Sequence, residues 1–168
     1  MFVDRIRVVC PAADLSVEPD VVVVTHAAID AGRVRFVPAG GQPIAPAGST
    51  VSSFVEIEGG PDLVVEIVSD ASVHEDIRRL PPAHHAAGVR EFWIVDARAQ
   101  PPAFRLLHRG PGEFEPLPVD ADGWTESMVL ERYIRLTVHQ TPRAFRATST
   151  TPRKIFSWVA RCAGLWPA

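Results

Sequence analysis

Glu66 is the residue whose position asks for chemistry. It stands inside Leu63-Val64-Val65-Glu66-Ile67-Val68, a run that is otherwise apolar and rich in β-branched residues. Such a run reads as a strand buried on both faces. An ionised carboxylate removed from water there is costly unless something compensates it. A cation, a metal or a proton would each do so. Side chains alternate along a strand, so Asp62, Val64 and Glu66 share one face. A second acid, Asp20, stands at the mouth of another apolar run, Val21-Val22-Val23-Val24. Taken alone, Asp20 reads as a turn residue that caps local backbone N–H groups. Three histidines, His74, His84 and His85, have side chains able to exchange protons near neutral pH. The plainer reading of His84 and His85 is packing on a helix.

Elements must bring these groups together. Gly59-Gly60-Pro61 is a turn that opens the Glu66 strand, and Ser69-Asp70 closes it. Residues 70–87 read as a loop followed by a helix that stops at Gly88. Pro81 and Pro82 fit that helix only in its first turn or at a kink. Glu91-Phe92-Trp93-Ile94-Val95-Asp96 is the next buried strand. Strand, helix and strand form a crossover unit, which sets the two strands side by side. Val21–Val24 is expected in the same sheet. Residues 1–10 alternate like a strand with one solvated face, and residues 26–32 read as a short helical turn. The glycine- and proline-rich residues 38–50 read as a loop, followed by a strand over 53–58. Residues 104–108 and 113–117 flank Arg109-Gly110-Pro111-Gly112 as a hairpin. Small polar residues 147–152 read as a linker. Thr151-Pro152 then opens an expected C-terminal helix over 153–163, with Gly164 as its stop.

With 168 residues the chain fits one domain with a sizeable core. The formal charge of −3 argues against a general polyanion binder, though a local basic face is compatible with it. Lys154 is the single lysine, and every other cationic residue is arginine. Chemistry that needs a lysine amine therefore has one candidate, far from the acids. Cys10 and Cys162 show neither metal-ligand spacing nor a disulfide framework, which points to a reducing compartment. No apolar run approaches the ~20 residues that span a bilayer. A cytoplasmic protein without a membrane partner is the expectation.

Three segments together resemble a known family: Glu18-Pro19-Asp20-Val21-Val22-Val23, then Pro61-Asp62-Leu63-Val64-Val65-Glu66-Ile67-Val68-Ser69, then Ala86-Ala87-Gly88-Val89-Arg90-Glu91-Phe92-Trp93-Ile94-Val95-Asp96. Their order and spacing resemble the bacterial Uma-type restriction endonucleases of the PD-(D/E)XK nuclease superfamily, over about residues 15 to 140. The resemblance implies an α/β fold: a restriction-endonuclease-like mixed β-sheet core flanked by helices, here with the C-terminal helix added. The nuclease-like domain would span residues 1–146, and 147–168 would be linker and helix. The resemblance also implies that Asp20 and Glu66 hold Mg2+ or Mn2+ and that DNA is the substrate class. Asp62 and Asp76 become auxiliary acids, while His74, Arg78 and Arg79 become candidates for phosphate contact or proton chemistry. Arg79 is the third catalytic candidate.

The chain departs from the family pattern. Val68 stands where the superfamily lysine usually lies, and Leu80 stands where family members move it. An arginine does not replace it in kind, because it stays protonated. His84 stands where the family has a tyrosine. The family's upstream glutamate and hairpin are expected to be absent from this chain. Two readings follow. The first is a metal-dependent endonuclease with activity degraded by the lost lysine. The second is a non-catalytic nuclease-fold module that binds nucleic acid or pairs with a second copy as a homodimer. A small-molecule-binding α/β domain has little support, since no glycine-rich phosphate loop is present.

Overall fold

A computed structural model gives the fold and describes residues 2–3, 6–38, 54–96, 98–138, 145–151 and 154–160. In chain order the strands are β1 (Phe2–Val3), β2 (Arg7–Cys10), β3 (Leu15–Val17), β4 (Val21–Val23), β5 (Val34–Pro38), β6 (Phe54–Gly59) and β7 (Leu63–Val68). They continue as β8 (Glu91–Asp96), β9 (Ala103–Arg109), β10 (Phe114–Pro116), β11 (Thr125–Ser127), β12 (Arg132–Val138), β13 (Phe145–Thr151) and β14 (Lys154–Ala160). The helices are α1 (His26–Asp30) and α2 (Leu80–Ala86), the second entered from a π-helical segment over Glu75–Arg79.

The central sheet has the order β1-β4-β7-β8-β9-β10. Only β7 and β8 run parallel, as the helical crossover between them requires. The expected adjacency of the Val21, Glu66 and Phe92 strands is therefore present, and so is the β9–β10 hairpin. β7 is buried on both faces. Val64 and Val68 face a core shared with Val22, Phe92, Ile94 and Leu80. Leu63 and Val65 face another, with Trp93, Val95, Leu106 and Ile134. The strands β3-β2-β6-β5 form a second sheet and β11-β12-β13-β14 a third. The mixed α/β core is as expected, but much of its cover is β rather than helical.

The C-terminal helix expected over 153–163 is overturned where the chain is described. Lys154–Ala160 is the strand β14, paired antiparallel with β13. Ile155, Phe156, Trp158 and Val159 are β-branched or aromatic, and the register sets them opposite Thr150, Ser149, Ala147 and Arg146 of β13. Such residues favour the extended chain and lose side-chain freedom in a helix. Ala147–Thr151 of the expected linker likewise belong to β13. The expected loop at 38–50 lies outside the described residues except for Pro38, which ends β5.

The loop into β7 is held by Asp62, which is fully buried. Its Oδ2 accepts the Thr25 N–H at 2.7 Å, and its Oδ1 accepts Arg33 Nη2 at 2.6 Å. Arg90 Nη1 stands 3.6 Å from the same Oδ1. The backbone joins in: Asp62 N–H donates to Val23 O, and Asp62 O accepts the N–H groups of Arg90 and Glu91. Burial pulls the carboxyl pKa up, but the Thr25 N–H and the Arg33 guanidinium outweigh it and hold it below its ordinary value. Glycine is required beside this knot. A Cβ on Gly59, at φ +105°, would meet Arg33 O, and one on Gly60 would meet Ala87 O.

Asp62→Ala is expected to lower folding stability by about 2–4 kcal/mol, because it strands a buried N–H and a half-buried guanidinium. Asp62→Asn keeps one acceptor and should lose less. Urea denaturation midpoints measure both, and an Ala variant as stable as wild type would refute the role of Asp62 as a latch.

Candidate functional site

β4 and β7 pair antiparallel with Val21 opposite Val65. One step further along the ladder, Asp20 stands across from Glu66. The contact is explicit: Asp20 Oδ2 accepts the Ile67 N–H at 2.7 Å. Asp20 is exposed at the rim, whereas Glu66 is 5% exposed and lies beneath it. The third acid comes from the crossover. Ser69 and Ser72 close the turn after β7 through the Ser69 N–H to Ser72 Oγ, at 3.0 Å. Asp76 N–H then donates to Ser72 O at 2.9 Å, which starts the helical stretch and buries the Asp76 side chain.

The π-helical segment is a consequence of local sequence. Pro81 and Pro82 lack N–H donors, and their rings crowd the carbonyls four residues back. The wider π turn relieves that crowding: Leu80 N–H bonds to Glu75 O, five residues back. Asp76, Leu80 and His84 are all buried. His84 Nε2 stands 3.9 Å from Glu66 Oε1, and its ring tilts against Phe92 with centroids 5.3 Å apart.

The electrostatics are those of acids crowded together. Burial pushes the Glu66 carboxyl up to about 9, helped by the negative charges of Asp20 and Asp76; a backbone hydrogen bond from Asp20 opposes the rise. Asp76 is raised by burial and by Asp20, and Ser72 opposes it. His84 is pushed down to about 4 by burial and by the charge of Arg79, so its ring is neutral at pH 7. Glu66 Oε1 and both His84 ring nitrogens are buried without a hydrogen-bond partner.

Asp20, Glu66 and Asp76 therefore come together. Asp62 does not join them. It lies four residues back along the strand, roughly 13 Å away at ~3.3 Å per residue, and is committed to Arg33 and Thr25. Arg79 is paired with Glu75, although its charge reaches His84. Arg78 and His74 are exposed. Sequence reasoning gave His84 a packing role, and it does pack; what that reasoning missed is the Glu66 contact. It also missed Glu91, a second buried acid in an apolar strand. Glu91 accepts bonds from Trp93 Nε1, Ser127 Oγ and Val129 N, tying the central sheet to β11. The same signal that marked Glu66, a carboxylate inside an apolar run, was available for it.

Among the described residues, no three His, Cys, Asp or Glu side chains are gathered into a ready-made chelate. Asp20 and Glu66 nonetheless have the donor chemistry of a magnesium site, which commonly takes one or two carboxylates and keeps its waters. The orphaned Glu66 Oε1 is the atom such an ion would satisfy.

The shifts fix the sign of the pH dependence. Folded Glu66 keeps its proton up to about 9, whereas the unfolded group loses it near 4.5, so stability falls as pH rises between those values. Unfolded His84 gains a proton near 6.5 and folded His84 only near 4, so stability also falls as pH drops across that window. Glu66→Gln should remove most of the alkaline loss, worth on the order of a few kcal/mol, and leave the acid loss in place. Thermal melts from pH 5 to 9 test this, and unchanged alkaline slopes in the variant would refute it.

No helix among the described residues is long and apolar enough to cross a membrane. No curated protein matches the chain. A protein-family model does match, over residues 2–139. The match begins well before residue 15, where the resemblance was expected to start, and takes in β4, β7, the crossover helix and β8. All three converging carboxylates fall within the matched residues, and on that match the chain belongs to the Uma2 family, described as "Putative restriction endonuclease".

Proposed function

We propose that this chain is a divalent-metal-dependent endonuclease that hydrolyses phosphodiester bonds in DNA, with Asp20 and Glu66 as its metal ligands. The observation that carries the reading is the orphaned Oε1 of Glu66, buried across the β4–β7 ladder from Asp20. A buried acid held near pKa 9, with no arginine paired to it among the described residues, is compensated by a proton or by a bound cation. Bound there, a hard divalent cation would acidify a water for attack on phosphorus and neutralise charge on the phosphodiester. Asp20 presents the exposed entrance, Glu66 the inner ligand, and Asp76 a further acid able to hold water. Exposed Arg78 is suited to phosphate contact. Arg79, tied to Glu75, acts by orienting that face. His74 and Asp62 lie outside the chemistry.

A second reading, a nuclease fold that binds nucleic acid without cutting it, is favoured by one observation. Both positions where the resemblance puts the lysine are apolar core: Val68 is fully buried and Leu80 is 4% exposed. No amine can enter the site from those positions, so cleavage is expected to be slow.

Two measurements decide between them. With Mg2+ or Mn2+ at about a hundredfold over its dissociation constant, the melting temperature should rise by roughly 5–10 °C. Glu66→Gln and Asp20→Asn should abolish the rise. Slow metal-dependent nicking of plasmid or single-stranded DNA should drop by roughly a hundredfold or more in either variant. A metal shift and DNA binding without nicking would establish the second reading. Absence of both the metal shift and the nicking would refute the metal-dependent nuclease reading.

A further inference from the structure

We propose that His84 Nε2 is a nitrogen ligand, shared with Glu66 Oε1, that makes this site select Mn2+ or Co2+ over Mg2+. This rests on the metal-dependent reading given under Proposed function and names the kind of ion the site prefers. The observation is a pocket of unmet bonds. Three polar atoms in one patch of core, Glu66 Oε1 and both nitrogens of His84, are buried with no partner. Buried polar groups in folded proteins are rarely left unbonded. Two of these atoms face each other at 3.9 Å, beyond hydrogen-bond reach, so they do not satisfy one another. Metal–ligand distances of about 2.1 Å put two ligand atoms about 3.0 Å apart at an octahedral angle and about 3.4 Å apart at a tetrahedral one, so a closure of about 0.5–0.9 Å would bring both atoms onto one ion.

The donor types then set the preference. A pair of carboxylates suits Mg2+, which takes oxygen and dehydrates reluctantly. Replacing one oxygen by imidazole nitrogen shifts preference toward first-row transition metals. Asp20, across the ladder at the rim, supplies the outer carboxylate, and the remaining positions fall to water and phosphate oxygens. The ring is fixed for this purpose on two sides. It lies against Phe92, and the prolines and π turn that precede it set the helix face that points at Glu66.

The full chain is titrated calorimetrically with MgCl2, MnCl2 and CoCl2, for wild type, Glu66→Gln, His84→Phe and His84→Gln. Pulsed electron paramagnetic resonance of the Mn2+-loaded wild type reads nitrogen coupling directly. Wild type is expected to bind Mn2+ and Co2+ at least tenfold more tightly than Mg2+, with 14N coupling in the Mn2+ signal. Both His84 variants should lose that preference while keeping Mg2+ binding. Should one variant fail to fold, the other variant and the wild-type resonance still decide. Mn2+ and Mg2+ affinities that stay within twofold of each other, lost together in Glu66→Gln and untouched in the His84 variants, would overturn the His84 assignment and leave the nuclease reading standing. Nitrogen-coupled metal binding without cleavage of DNA would do the reverse. No binding of any of the three ions would overturn both.

Discussion

The buried carboxylate of Asp62 is the constraint on which the other elements depend. It is reached from three directions: by the N-terminus of α1 through Thr25, by the approach to β5 through Arg33, and by the approach to β8 through Arg90. Its backbone completes the ladder to β4 on one side and to β8 on the other. With these bonds in place, the register of β4 against β7 has no freedom to slip, and a one-residue slip would turn every side chain to the opposite face. The position of Asp20 across from Glu66 follows from that register.

Asp62 and Glu66 are therefore a controlled comparison within one short stretch. Both are buried acids of similar chemistry four residues apart. One is surrounded by donors and has its pKa lowered; the other faces two more acids and a neutral imidazole, and has its pKa raised toward 9. Where a carboxylate serves the fold, the fold provides its counter-charge. Around Glu66 the fold provides the opposite, which is the arrangement expected of a group whose partner arrives from solution.

The sequence made the central strands legible because their signal is local. Apolar runs such as Val21–Val24, Leu63–Val68 and Phe92–Val95, bounded by turn residues, specify buried strands with little help from the rest of the chain. The exception of Glu66 within its run was visible for the same reason. Less legible was anything decided by partners distant in the chain. Whether Asp62 joined Glu66 or Arg33 depends on a residue twenty-nine positions upstream. The same holds for Glu91, whose partners Ser127 and Val129 lie at the end of β11 and in the turn that follows it. The C-terminal segment failed differently. Thr151-Pro152 and Gly164 looked like helix start and stop signals, but the residues between them are β-formers, and β13 was available to pair with them.

The crossover helix shows how backbone irregularity and site assembly are linked. In a regular α-helix, residues four apart drift by about 40° per step at 3.6 residues per turn, so Asp76, Leu80 and His84 would spread over about 80°. The wider turn over Glu75–Arg79 reduces the first of those steps, and all three side chains are buried. Wider turns of this kind are rare and frequently mark functional sites. Here the cause is in the sequence: two consecutive prolines at the start of α2 make regular bonding into the preceding turn unavailable. Pro81 and Pro82 thus act on the site without touching it. They set the helical phase that puts an acid and an imidazole over the same strand, one near Asp20 and the other 3.9 Å from Glu66. A chain that had kept its lysine at position 80 would have spent the middle of that buried line on an amine. With Leu80 there instead, the polar side chains that this buried line carries are Asp76 and His84.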